Sequence, residues 1–283
     1  MKAACVAAAA LASGALGDTC APRCGCRSRK PTVIVRHHKS GTVLGQKLCT
    51  SLELACSIKT ERLQFRDLAS WSATARDGCE TAYTYLPASR CNSTCVDAAF
   101  RAANSAVKFV HMVREPLALI LSTYLFHKSG QEPSFGKPPL APRLKKASAR
   151  AGLRMAAEEM LARALPAMAA FHERSALRTY RLEDLSRTGG FSAFTADFLA
   201  VVGFDRRECA RPVQKELAGH DTARWTSRRR GKHVTTNTAN TTHLRRLLVE
   251  SPEFAALRAF GARLGYAYAA DGAASVVRRG GLH

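Results

Sequence analysis

"TVIVRHHKSGTVL", residues 32–44, joins a run of β-branched residues (Thr32, Val33, Ile34, Val35) to two histidines, a Lys39-Ser40-Gly41-Thr42 turn and an apolar stretch. The first part predicts a strand over 32–36. Val43, Leu44, Leu48, Leu52 and Ala55 keep helical spacing, which predicts a helix from 42 to 56. A strand–turn–helix of this composition suits an anion. The first-turn amides of the helix have no intrahelical acceptor, and the helix end carries partial positive charge. Gly41 lets the backbone come close to a ligand, and Lys39 adds a full charge. The nucleoside-triphosphate version of such a loop reads GxxxxGK[ST]. Here His38 stands before Lys39, and no glycine lies five residues earlier. The shorter loop can wrap one terminal group but has little backbone to line a triphosphate. Read on these residues alone, an ordinary strand–turn–helix with a surface lysine fits equally well.

Outward from this stretch, strands and helices alternate. "RLQFRD" (62–67) predicts a second strand, and 68–96 reads as irregular and Cys-containing, extended around "AYTYL". Residues 97–106 predict a helix, "VKFVHMV" (107–113) a buried strand, and 114–127 a helix with Pro116 at its first position. Residues 128–149 carry four prolines and several lysines and read as a long loop, of the kind often tied to function. Helices follow at about 150–172, a strand at 177–185, and helices near 191–202, 240–249 and 252–264. This order predicts an α/β fold: a single domain with a central, mainly parallel sheet flanked by helices. A length of 283 residues suits one large domain better than two.

A second constellation strengthens the anion reading. In "VREPLALILSTYLFH", Arg114 sits where a strand gives way to a helix, at the carboxyl edge where open α/β sheets bind ligands. Ser122 lies about two turns down that helix. Arginine presents a fork of donors to phosphate oxygens, and a hydroxyl beside it completes a phosphate site. A helix cap plus a buried serine is the plainer alternative. A third stretch, "RWTSRRRGKH" (224–233), embeds Gly231 in an Arg run, which suits either backbone wrapping of an anion or a solvated basic face.

These stretches, in this order, resemble the sulfotransferases that use 3′-phosphoadenosine 5′-phosphosulfate (PAPS). "HHKSGTVL" resembles the family's 5′-phosphosulfate loop, "VREPLALILSTY" its 3′-phosphate motif, and "RRRGK" the basic segment that reaches the same 3′-phosphate. "YRLEDL" is similar to the family's Tyr-Glu-Asp-Leu strand, with Leu182 where that pattern has tyrosine. The resemblance implies the P-loop-NTPase-like sulfotransferase fold over residues 31–268. A signal peptide or short signal anchor (1–17) and a Cys-rich lead-in (18–30) precede it, and a basic tail (269–283) follows. It implies transfer of a sulfuryl group from PAPS to a hydroxyl or amine, releasing adenosine 3′,5′-bisphosphate (PAP). Lys39 would neutralise the leaving phosphate and the sulfate oxygens. Ser40, Gly41, Thr42 and Val43 would cradle the 5′ group, while Arg114, Ser122, Arg229, Arg230 and Gly231 would hold the 3′-phosphate. No metal is expected, since lysine and backbone dipoles meet the charge. The acceptor's proton needs a base. Cytosolic members carry a His in a Thr-His-Leu-Pro strand, whereas "TYLP" here puts Tyr85 in that place, a poor base with a pKa of about 10. His38, beside the loop, and Asp67, at the end of the predicted second strand, are the candidates, with His37 behind them.

Compartment and partners come from composition. Lys2 and the apolar residues 3–13, followed by Ala15-Leu16-Gly17, fit a secretory signal cleaved before Asp18, and the stretch falls short of the roughly 20 residues that span a bilayer. An uncleaved anchor would attach the chain to a membrane. The destination expected is the Golgi lumen or the exterior. Nine cysteines (20, 24, 26, 49, 56, 79, 91, 95 and 209) lie beyond the cut, so several are expected to pair in disulfides, with at least one left free or intermolecular. The sequons at Asn92 and Asn240 agree with that route. A net charge of +21 favours a polyanionic partner, and with lumenal delivery the expected acceptor is a glycan, anionic or neutral. No recognition helix or finger motif marks a specific nucleic-acid reader. Two rivals remain open: a P-loop nucleotide or small-molecule kinase, and a secreted polyanion-binding protein without activity.

Overall fold

The computed structural model describes residues 32–56, 59–63, 80–85, 97, 100–101, 107–130, 132–133, 135–136, 138–174, 177–204, 207–221, 238–270 and 272–276. Five parallel strands form the central sheet: β1 (Thr32–Arg36), β2 (Lys59–Leu63), β3 (Glu80–Tyr85), β4 (Lys108–Val113) and β5 (Leu177–Arg181), in spatial order β2-β3-β1-β4-β5. All five residues of β1 are buried, as expected of a central parallel strand with helices on both faces.

The side chains alternate between two cores. On one face Ile34, Val110, Met112 and Tyr180 meet Leu48, Cys49 and Leu52 of α1 (Thr42–Cys56). The same core takes in α7 (Gly190–Val202) and α8 (Arg207–Ala218) through Phe191, Phe194, Phe198, Val213 and Leu217. The other face is covered by α2 (Pro116–Lys128), α3 (Leu140–Lys146), α4 (Ala149–Ala162), α5 (Ala164–His172), α9 (Thr238–Val249) and α10 (Phe254–Arg263). A short turn of helix, α6 (Leu182–Leu185), follows β5, and an antiparallel hairpin, β6 (Tyr266–Tyr268) and β7 (Ala274–Val276), closes the described chain.

Several elements differ from the sequence reading. The second strand runs over Lys59–Leu63 among the described residues, beginning three residues before the expected 62–67, of which 64–67 lie outside them. The strand placed at 177–185 ends at Arg181, because Glu183 turns inward to accept the Glu115 amide (3.0 Å) and the Tyr266 hydroxyl (2.8 Å). The long loop of 128–149 contains α3, with Leu140, Ala141 and Leu144 buried. Pro142 is its third residue, where no intrahelical bond is lost. Helix α8 was absent from the reading because Pro212 interrupts it. Ala210, Val213 and Leu217, on one helical stripe, hold it against the core despite that cost. The segments 1–31, 64–79, 86–96, 222–237 and 277–283 lie outside the described residues, and with them the signal segment, the Cys-rich lead-in, the first sequon and the end of the basic tail. Among the described residues no helix is long and apolar enough to cross a membrane.

Candidate active site

Strand order places the site. The chain leaves β1 toward β2 on one side and leaves β4 toward β5 on the other, so β1 and β4 flank the topological switch point. Their carboxyl ends open the crevice where such sheets take ligands. The loop 37–41 comes from one strand and Arg114 from its neighbour. They meet: Arg114 Nη1 donates to the Lys39 carbonyl at 3.2 Å.

The loop is built by its own polar atoms. The Ser40 N–H donates to the His37 carbonyl (3.1 Å), and Ser40 Oγ accepts the His37 N–H (2.8 Å). Ser40 is fully buried, and these bonds to His37 shape the turn. Lys39 holds φ +58° and Gly41 φ +86°. A side chain on Gly41 would meet Met112 Sδ at 2.8 Å and Leu182 Cδ2 at 3.2 Å, so the loop lies tight against β4 and α6. Lys39 in the left-handed region is a strained, non-glycine choice of the kind that gathers at functional sites. Thr42 and Val43 begin α1, and the Gly45 N–H to Gly41 carbonyl bond (2.8 Å) closes its first turn.

Lys39 Nζ sits 2.7 Å from the centre of the Phe126 ring on α2, a cation–π contact. Phe126 is four residues beyond Ser122, on the same side of that helix, and Ser122 is buried. Burial pushes the Lys39 pKa down to about 8; the Glu132 carboxylate opposes that fall and the Arg114 cation adds to it. Arg114 is drawn down by burial and supported by Glu183 and Glu115. Glu115 caps α2 through the amides of Leu117 (3.0 Å) and Ala118 (2.7 Å), and accepts from Tyr268 Oη (2.6 Å) and Arg245 Nη1 (3.1 Å). The hairpin and α9 are thereby fastened behind Arg114.

The two histidines before Lys39 face opposite partners. His37 and His111 approach Nε2 to Nε2 at 2.8 Å with ring centres 5.0 Å apart, and both are fully buried. Burial pushes the His37 pKa down to about 3 and holds His111 well below the ordinary imidazole range. His38 and His127 repeat this at 3.0 Å, with ring centres 5.1 Å apart and Phe135 stacked on both. In each pair the two ring radii take up the difference between those distances, so both nitrogens lie nearly on the line joining the ring centres. That is a head-to-head hydrogen bond with one donor and one acceptor. Glu132 Oε2 lies 3.7 Å from His38 Nδ1 and 3.9 Å from His127 Nε2. His38, His127 and Glu132 are of metal-ligand type and lie close together. The facing nitrogens, however, are spent on the hydrogen bond to each other and not on a shared ion.

The sequence grouped Lys39, Ser40, Gly41, Thr42, Val43, Arg114 and Ser122 in one site; the structure sets the loop from Lys39 to Val43 and Arg114 at the carboxyl edge of the sheet, with Ser122 buried within α2. Tyr85 ends β3 in register with Arg36, at that same edge. Asp67, Arg229, Arg230 and Gly231 lie outside the described residues. Phe126, His127, Glu132, Phe135 and Glu183 were missed. The helical offset of Phe126 from Ser122 was the one available signal. Cys49 is a free thiol in the core, and burial pushes it up to about 12.

No protein-family model matches the chain. No curated protein matches it. Among solved structures, it is similar to the crystal structure of mouse sulfotransferase SULT7A1 complexed with PAP, at 12% identity and a TM-score of 0.44, over 76% of this chain and 74% of that one. A likeness at that identity and TM-score assigns no activity to this chain.

Proposed function

We propose that the chain is a sulfotransferase, moving the sulfuryl group of PAPS to a hydroxyl or amine. The observation that carries this is the meeting of the two loops at the switch point, where the Arg114 guanidinium holds the Lys39 carbonyl at 3.2 Å. A single nucleotide bearing phosphates at both ends fits two cationic groups fixed by two different strands. Lys39 takes the bridging and sulfate oxygens, where charge grows as the S–O bond breaks. The amides after Gly41 line the 5′ group, and Arg114 with Ser122 takes the 3′-phosphate, joined by Arg229, Arg230 and Gly231. Ser40 contributes by holding the turn. His38 and Asp67 are the proton takers that the sequence offers; His38 is buried, with its Nε2 bonded to His127.

The acceptor we favour is a glycan met in the Golgi lumen or outside the cell. The signal-like N-terminus, the sequons and the +21 charge support that choice. The test is retention on immobilised PAP against ATP, followed by incubation with sulfate-labelled PAPS and a panel of glycans, phenols and peptides. Lys39→Ala should abolish transfer, while Arg114→Ala should chiefly raise the PAP dissociation constant. An unchanged constant in Arg114→Ala refutes the 3′-phosphate role, and preference for ATP turns the reading toward a kinase.

A further inference from the structure

We infer that Glu132, seated on the His38–His127 pair, is the group that takes the proton of the acceptor hydroxyl; this rests on the sulfotransferase reading above. Among the described groups clustered beside Lys39, His38 is 3% exposed and His127 is fully buried, whereas Glu132 is 53% exposed. An acceptor arriving from solvent meets the carboxylate first. His38 has its Nε2 committed to His127 at 3.0 Å and its Nδ1 turned toward the carboxylate at 3.7 Å. That arrangement favours the tautomer in which His127 Nε2–H is given to His38 Nε2 and the His38 proton sits on Nδ1, turned toward the carboxylate. His38 is then a positioning residue. The backbone of Glu132 is held at φ +47°, the second non-glycine residue in the left-handed region beside Lys39, and strain of that kind persists where the surroundings enforce a geometry.

The step balances. The acceptor O–H bond breaks and its proton goes to a Glu132 oxygen. The acceptor oxygen bonds sulfur as the bond from sulfur to the 5′-phosphate oxygen breaks. That electron pair leaves on the phosphate, which faces Lys39. The charged and titratable groups around the carboxylate are Lys39 from the loop after β1, His38 beside it and His127 from α2. Burial holds the His38 ring neutral, and Lys39 keeps its charge at pH 6.5.

The experiment uses the full chain with PAPS and the acceptor found in the panel, at pH 6.5, where Lys39 keeps its proton. Glu132→Ala should lose about 100- to 10,000-fold in turnover with its PAP dissociation constant unchanged. Added formate should restore part of the rate, and the acid limb of the wild-type pH profile should vanish in Glu132→Gln. Separately, the pH midpoint for acylation of Lys39 should fall in Glu132→Gln, a readout that needs no turnover. Wild-type turnover in Glu132→Ala overturns the inference and leaves the transfer reading standing. Loss without formate rescue, in step with weaker PAP binding, also overturns it and makes Glu132 a counter-charge to Lys39. A wild-type chain that binds PAP and transfers nothing overturns both.

Discussion

Raising the pH from 7 to 9 should weaken PAP binding through one side chain. Burial against Phe126 brings the Lys39 ammonium from 10.5 down to about 8. Only the protonated form attracts a phosphate, and with a midpoint of about 8 the protonated share falls from about nine-tenths at pH 7 to about one-tenth at pH 9. The dissociation constant should therefore rise about tenfold across that window. The second ionisation of a phosphate ester lies at about 6, below it. The imidazoles of His37, His38 and His111 are held neutral by burial and do not titrate in it. Calorimetric titration with PAP at half-unit steps gives the curve, and Lys39→Arg, whose guanidinium stays charged, should flatten it. Equal affinity at pH 7 and 9, or the same slope in Lys39→Arg, would refute the reasoning. The stability linkage has a definite sign. A lysine whose pKa is lowered on folding binds fewer protons folded than unfolded between about 8 and 10.4, so wild-type stability should rise with pH there relative to Lys39→Met.

Gly41→Ala should lower stability by about 1–2 kcal/mol, since φ +86° suits glycine and the new methyl would press on Met112 Sδ; thermal melts read this. His37→Leu strands His111 Nε2 in a dry interior and should cost about 1–3 kcal/mol in urea unfolding, with less than additive loss when His111→Leu is combined with it. Glu115→Ala removes the cap of α2 and the anchor of Tyr268 and Arg245 together, at about 3 kcal/mol. Amide exchange should speed up in β6 and β7, and the same exchange as wild type would show that the hairpin is held by other contacts.

The strand–turn–helix at 32–56 and the strand–helix at 108–128 were legible because their signals are local. β-branched runs, helical spacing and a proline at the first helical position each act within a few residues. α8 and α3 were not, because Pro212 and Pro142 weaken the local pattern while burial of Val213, Leu217, Leu140 and Leu144 decides the outcome. Glu183 read as part of a strand because nothing near it in sequence reveals that it faces the Glu115 amide from 68 positions away.

By itself, then, the amino-acid order determined which segments would end in cations at the carboxyl edge of a parallel sheet, since each such segment carries its own strand, turn and helix. Tertiary structure alone decided that Lys39 rests on Phe126 with its pKa lowered, that Arg114 reaches the Lys39 carbonyl, and that His38 bonds His127 with the Glu132 carboxylate close to His38. Those contacts join residues 75 to 94 positions apart through β1 lying beside β4. The energies that set them, desolvation and charge pairing, depend on what surrounds a side chain and not on its neighbours along the chain.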